Sequence, residues 1–425
     1  MNSSKLFDKI LFLSMFLWMS VSSNLGSLGF VINGLIKELG MLSVNIKALI
    51  GSSSLIGMFI GALISGFIGD RLGRKKTIML FVIIQSVSSI LSYVIIDPIW
   101  FIIWRIIAGI GMGGLLPVVA SLVSEYSVPR NRGKRISLLE SSWAYGWLIA
   151  VGLAYLLLNG IGWLLYGILL SIISLLFSII GLWVEESPRY LLSIGCKDEA
   201  IKLAEKYGIP LPEIRPRISM FEGLKKLFVS DYKKVTIGLW ILWFTITMGY
   251  YGIFIWYPKL LVQRGTELGY QSLSLYLSKH RLDYLLITTL AQIPGYYSAA
   301  YLVDKIGRKK VLFTYMVFTG IAAFVLAGIR DVELFILAGI TLSFFDLGAW
   351  AALYTYTPEQ YPTNMRVMGT AWASTIGRLG GIIGPYIVPY LGSWETVFMF
   401  FALIHIIGSI GVFFGRELMG KEMIE

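Results

Sequence analysis

The chain alternates long apolar runs with short polar breaks. A helix that crosses a bilayer needs roughly 20 mostly apolar residues. That window predicts spans at about 10–36, 48–68, 77–96, 99–124, 136–158 and 161–184, then at 235–257, 285–303, 311–329, 334–356, 367–391 and 396–415. The pattern is six spans, a break, and six more. The break differs in kind. Residues 197–206 read as a short amphipathic surface helix, and Pro210, Pro212 and Pro216 behind it oppose a continuous one. The expected organisation is a bundle over 1–184, a linker over 185–234 and a second bundle over 235–425.

One polar string occurs twice. Gly66-Phe-Ile-Gly-Asp70-Arg71-Leu-Gly73-Arg74-Lys75-Lys76 joins spans 2 and 3, and Ala300-Tyr-Leu-Val-Asp304-Lys305-Ile-Gly307-Arg308-Lys309-Lys310 joins spans 8 and 9. These are equivalent places in the two sets of six. The register predicts a parallel repeat related by an axis along the membrane normal. Gly73 and Gly307 permit a tight turn. Asp70 and Asp304 can face a helix N-terminus on a neighbouring span, and the bases can pair with acids or lipid headgroups. One copy alone would pass for a basic loop with a turn glycine; two in register do not.

Composition narrows the class. Hydrophobic residues make up 56% and charged residues only 14%, with mean hydropathy +0.74. That leaves too little polar surface for a soluble domain, so an all-α, multi-pass membrane protein is predicted. The net charge of +11 would raise nucleic acid as a partner in a soluble chain. Here topology accounts for it. With the N-terminus placed in the cytoplasm, 27 of the 36 Lys and Arg fall on the inner side and 7 on the outer, while Arg105 and Arg378 lie inside spans. This positive-inside asymmetry puts both termini in the cytoplasm. One cysteine and two histidines argue against a disulfide or a metal site. The first apolar run is too long for the core of a cleavable signal. A phosphate-cradling loop and a nucleophile–base pair are both missing from the sequence, so neither an ATP-driven pump nor an enzyme is expected. No cofactor is expected.

The duplicated string and the twelve spans with a central linker resemble the major facilitator superfamily, over nearly the whole chain. Further strings resemble its sugar-porter and organic-ion branches: Arg105-Ile-Ile-Ala-Gly109-Ile-Gly111-Met-Gly113-Gly114, Glu125 with Arg132-Gly133, Glu186-Ser-Pro188-Arg189, and Pro358-Glu359-Gln-Tyr-Pro362-Thr-Asn-Met-Arg366. Leu138-Leu-Glu140-Ser-Ser-Trp143-Ala-Tyr-Gly146-Trp147, Gly348-Ala-Trp350-Ala-Ala-Leu-Tyr354 and Gly377-Arg378-Leu-Gly-Gly381 are similar to prokaryotic niacin and aromatic-acid transporters. The resemblance implies a plasma-membrane protein of two six-helix bundles related by a pseudo-two-fold axis. It implies a monomer whose halves rock about a midplane site. It also gives Asp70, Arg71, Gly73, Arg74, Asp304, Gly307, Arg308, Glu125, Arg132, Glu186, Arg189, Glu359 and Arg366 a signature and gating role.

A charge at mid-bilayer costs roughly 2.5–3.5 kcal/mol on insertion scales, so each is a candidate for function. Glu140 stands eight residues after Arg132, where sugar porters place a substrate-binding glutamine; a carboxylate there can take a proton or a cation. Arg378 can grip a carboxylate bidentately. Its bland alternative is an internal pair with Asp346 or Glu140. Arg105 can bias the titration of a nearby acid or simply order the first bundle. Asp346 reads as a proton site or, with more weight, as the partner of Arg378. His405 reads as a packing or lipid-facing residue. Tyr251, Trp350 and Tyr354 stand near ligand positions of the relatives and could stack on a flat ring.

Three departures shape the functional expectation. Asn24 stands in span 1 where proton-coupled relatives often have Asp, so a proton site must lie at Glu140 or Asp346, or transport is uncoupled. Span 7, Thr245-Ile-Thr-Met-Gly249-Tyr-Tyr-Gly, lacks the paired glutamines that a hexose would need. The second signature copy begins with Ala300. The sequence therefore predicts a secondary carrier for a small organic or aromatic carboxylate taken up with protons, with Asn24 among the substrate contacts. An organic-cation carrier, a sugar carrier, an uncoupled facilitator and a non-transporting membrane sensor stand as alternatives.

Overall fold

Glycine spacing decides how closely the spans of this chain can approach, and the computed structural model shows where. It describes residues 8–40, 42–128, 132–211, 227–228, 232–269, 271–361 and 365–417. Pro212 and Pro216 of the expected linker lie outside the described residues, as do Pro362, Thr363 and Asn364.

Among the described residues every predicted span is helical. The first four are Lys9–Leu39, Val44–Leu72, Arg74–Leu91 and Pro98–Glu125. Spans 5 and 6 lie in one stretch, Arg132–Gly181, broken at Gly162, where φ is 76°. That left-handed turn suits glycine and stops a helix. The linker holds the short helices Pro188–Ser193 and Lys197–Tyr207. Span 7 is Lys233–Glu267 and spans 9 to 11 are Arg308–Gly328, Val332–Glu359 and Arg366–Leu391. Span 12 is Trp394–Ser409, ending in a 3-10 turn at Ile410–Phe414. Span 8 is Ser272–Leu290 followed by Gln292–Ile306. The first stretch is broken at His280, where φ is −115° and ψ 19°, so Leu273 and Leu277 are buried on a short helix ahead of the span and Tyr284 and Leu285 on the span itself. Spans 4 and 10, equivalent in the repeat, start alike. Asp97 accepts from the Ile99 and Trp100 amides at 2.9 and 2.8 Å, and Asp331 from the Leu334 amide at 2.9 Å.

Packing divides the chain into two units. The first holds Met1–Ser27, Ser53–Ala150 and Leu164–Arg217; the second holds Leu28–Ser52, Val151–Trp163 and Ile218–Glu425. In the first unit, spans 2 and 4 meet on facing glycines. A Cβ on Gly57 would lie 2.0 Å from the Ile106 carbonyl oxygen, on Gly61 2.1 Å from that of Ile110, on Gly109 2.1 Å from that of Ser54, and on Gly113 2.0 Å from that of Met58. Such small-residue stripes are how helices gain dispersion contact where lipid removes the hydrophobic drive. In the second unit, Gly380 and Gly384 of span 11 lie against the Phe244 and Met248 carbonyls of span 7 at 2.2 Å by the same measure. The second unit also contains the signature-distal ends of spans 1 and 2. There Gly29 sits against the Ile255 carbonyl, Ser52 Oγ donates to Ile382 O at 2.8 Å, and Tyr390 OH donates to Asn45 Oδ1 at 2.7 Å.

The glycine seam yields a stability test. Gly57→Ala forces spans 2 and 4 apart and should cost about 1–3 kcal/mol, read as a lowered melting temperature of the detergent-purified protein. Gly66→Ala, with open space around its Cβ, is the matched control and should melt like the wild type. Equal melting of the two variants would show that the seam tolerates a methyl group.

Candidate functional site

The duplicated string folds into two copies of one latch. In the first unit, Gly73 turns the chain with φ 87° and starts span 3. The Arg74 guanidinium bonds Gly69 O at 3.0 Å, Asp70 at 3.3 Å and Glu125 at 2.9 Å. The Glu186 carboxylate accepts from the Arg74 and Lys75 amides at 2.7 and 3.2 Å, so it caps the helix with a full charge. Ser187 Oγ bonds Glu125, and Tyr126 OH donates to Glu186 O at 2.6 Å. Burial, then the neighbouring Glu185 carboxylate, hold the Tyr126 phenol above its ordinary pKa, so it remains a donor. Arg71 lies over the Phe67 ring at 4.1 Å, while Arg132 and Arg189 are exposed.

The second unit repeats this arrangement. Gly307 turns with φ 103°. Arg308 bonds Val303 O at 3.0 Å, Asp304 at 3.0 Å and Glu359 at 3.0 Å. The cap comes from Glu417, whose carboxylate accepts from the Arg308 and Lys309 amides at 3.2 and 2.9 Å. Sequence reasoning missed Glu417, although the repeat itself called for a counterpart to Glu186. Arg366 Nε donates to Pro358 O at 3.0 Å.

Within the first unit, Arg105 is fully buried. It donates to Asn24 Oδ1 at 2.8 Å and to Ser54 Oγ at 3.0 Å, and Asn24 Nδ2 donates to Ser89 Oγ at 2.9 Å. Asn24 is thus committed to Arg105 and Ser89 rather than turned outward. Glu140 is 8% exposed, and the indoles one and two turns along span 5, Trp143 and Trp147, stack with centroids 6.4 Å apart. A buried bidentate pair that the sequence did not single out ties Arg135 to Asp8 at 2.7 and 2.9 Å.

Within the second unit, spans 7 and 10 share an aromatic cluster. Trp350 touches Trp243, Tyr250, Tyr251 and Tyr354, with centroids 5.8, 5.9, 6.4 and 5.8 Å away. Trp243, which the sequence had not marked, also meets Tyr354 edge-on at 5.1 Å and anchors its indole on Thr357 at 2.9 Å. The indole N–H groups of Trp240, Trp350 and Trp372 are buried without hydrogen-bond partners. Arg378 is half-buried on span 11, next to Gly377, whose Cβ would lie 3.0 Å from the Trp243 ring. The expected Asp346–Arg378 pair does not form. Span 11 packs chiefly along span 7, whereas Asp346 turns to span 12 and faces His405 at 3.5 Å. His405 is therefore not lipid-facing; both residues are fully buried. Among the described residues no cluster of His, Cys, Asp and Glu could hold a metal.

Similarity to known proteins follows the same outline. The profile of the family "Sugar (and other) transporter" matches residues 18–417. The chain is 35% identical over 419 residues to the niacin transporter NiaP of Acinetobacter baylyi, across 96% of this chain and 93% of that one. It is 32% identical over 361 residues to the synaptic vesicle 2-related protein of Pongo abelii, across 80% of this chain and 65% of that one. Its fold matches the partially occluded, inward open xylose transporter XylE of E. coli with a TM-score of 0.76, at 20% identity and over 98% of this chain and 100% of that one.

The two latches make separable predictions. Glu186→Ala should raise hydrogen exchange at the start of span 3 about tenfold, and Glu417→Ala should do the same only at the start of span 9, each change equivalent to about 1.4 kcal/mol of capping. Mass-spectrometric exchange on the two variants checks this. Exchange that rises at both ends, or at neither, contradicts two independent caps.

Proposed function

The chain belongs to the sugar and other transporter family of the major facilitator superfamily, and on that premise we propose that it carries a small aromatic carboxylate, of which nicotinate is the model, together with protons. One observation carries this reading: a permanently charged guanidinium, Arg378, stands one residue from the glycine that touches an aromatic cluster of Trp243, Tyr250, Tyr251, Trp350 and Tyr354. A flat ring asks for aromatic faces and a carboxylate for a two-pronged donor. A sugar asks for several amides, and span 7 offers Thr245, Thr247, Gly249 and tyrosines instead. The name of the Acinetobacter relative agrees in kind.

The reading brings its setting with it. The protein sits in the plasma membrane with both termini in the cytoplasm, as a monomer of two bundles, 1–184 and 235–425, joined by the linker 185–234. The signature latches gate its inner ends, and no cofactor takes part. Glu140 is the proton or gating carboxylate of this reading. Its place on the turn before the stacked Trp143 and Trp147 also suits an organic cation, which keeps that cargo class as the rival.

Arg378→Ala should weaken nicotinate binding at least 30-fold, the loss of about 2 kcal/mol or more expected when one member of a hydrogen-bonded charge pair is removed. It should leave the weaker binding of uncharged nicotinamide within about threefold, since that ligand offers no carboxylate. Calorimetry on purified protein reads both constants. Unchanged nicotinate affinity removes the anion-binding role, and displacement of nicotinate by quaternary ammonium compounds would favour the cation carrier.

A further inference from the structure

Asp346 on span 10 and His405 on span 12 form a buried pair that the aromatic cluster and the latches do not use. Both side chains have zero exposure, and His405 Nε2 stands 3.5 Å from Asp346 Oδ1. The other ring nitrogen fixes the chemistry. His405 Nδ1 lies 2.8 Å from the Phe401 carbonyl oxygen, which can only accept, so Nδ1 carries a hydrogen. Nε2 is then the nitrogen that keeps its lone pair, and it faces the carboxylate. Neither Nε2 nor either oxygen of Asp346 has a hydrogen-bond partner of its own.

With no proton between them, a lone pair and a carboxylate would face each other in a dry interior. One proton resolves this in either form, as a carboxylic acid donating to the imidazole or as an imidazolium beside the carboxylate. Both forms hold the same proton count. Among the described residues no other ion pair or hydrogen bond reaches Asp346 or His405 Nε2. The elements packed around the pair carry further ionisable groups, among them Tyr250 and Tyr251 of span 7, Tyr296 of span 8, Tyr315 of span 9, Tyr354 of span 10 and Arg378 of span 11, and none of these is hydrogen-bonded or ion-paired to Asp346 or to His405 Nε2. Span 7 presents only backbone: a Cβ on Gly249 would lie 2.0 Å from His405 Cε1.

This placement connects the proton to the cluster. Gly249, pressed on the imidazole, is followed directly by Tyr250 and Tyr251, whose rings touch Trp350. Asp346, Trp350 and Tyr354 follow at i, i+4 and i+8 on span 10, so they lie along one stripe of that helix. We infer that the Asp346–His405 pair is the residence of the coupling proton, set behind the aromatic cluster rather than in contact with cargo. Loss of the proton leaves an unanswered buried charge, which spans 7, 10 and 12 must relieve by moving. The rings of the cluster ride on spans 7 and 10. In the first unit, the Asn24–Arg105 contact cannot take this role, because an amide does not titrate. The inference rests on the reading of the protein as a proton-coupled carrier.

Asp346→Asn tests it without removing the contact, because the amide donates permanently to Nε2 and imitates the protonated pair. In liposomes, a one-unit pH gradient sustains up to about tenfold accumulation at one proton per cargo. The wild type should accumulate labelled nicotinate accordingly. D346N should exchange nicotinate across the membrane without a gradient but gain no accumulation from one. D346N that accumulates like the wild type overturns the inference. If the wild type moves neither nicotinate nor benzoate, the cargo reading fails and the pair is judged separately. The chain has two histidines, so nitrogen-15 labelling gives two imidazoles, and His280→Ala identifies that of His405. The Nε2 resonance should move with pH in the wild type and stay at the acceptor position in D346N. A wild-type resonance that does not move with pH overturns the inference irrespective of cargo.

Discussion

A carboxylate laid across the first amides of a helix holds each repeat at its signature end. Four backbone N–H groups at a helix start have no partner within the helix, and a membrane surface supplies water to them only in part. Glu186 answers those of Arg74 and Lys75, and Glu417 answers those of Arg308 and Lys309. The cap fixes where the helix begins. That start fixes the arginine, and the arginine gathers an acid from the preceding helix and another from the end of the following span. Turn glycines, bases and acids of the duplicated string are thus parts of one electrostatic unit. Removing the cap loosens the whole unit.

Much of this was legible because the repeat is written in the sequence as chemistry. The Asp70 to Lys76 string and its copy specify a turn, a helix start and a basic cluster without any knowledge of distant contacts. Twelve spans follow from run length, since lipid demands it. Glu417 was not legible on its own. It is one acid in a short tail, and only the finished first latch shows that a partner is required.

The interior polar residues were harder. Arg378, Asp346 and His405 were visible as charges in apolar runs, but their partners depend on which helix packs on which. Span 11 packs along span 7 while Asp346 turns to span 12, so the two charges do not meet. Asp346 instead meets a histidine that periodicity alone places on an unremarkable apolar helix. Asn24 shows the converse case. Its inability to ionise was plain in the sequence, and the structure adds that it is spent on Arg105 and Ser89.

The unpartnered indoles of Trp240, Trp350 and Trp372 carry one more consequence. An indole nitrogen gives a hydrogen and offers no lone pair in return. Spans 7, 10 and 11 therefore each carry a buried donor whose hydrogen nothing among the described residues receives. Leaving such a group unmet costs about 1–3 kcal/mol. The three helices thus hold in reserve a free energy that any acceptor reaching those nitrogens would recover.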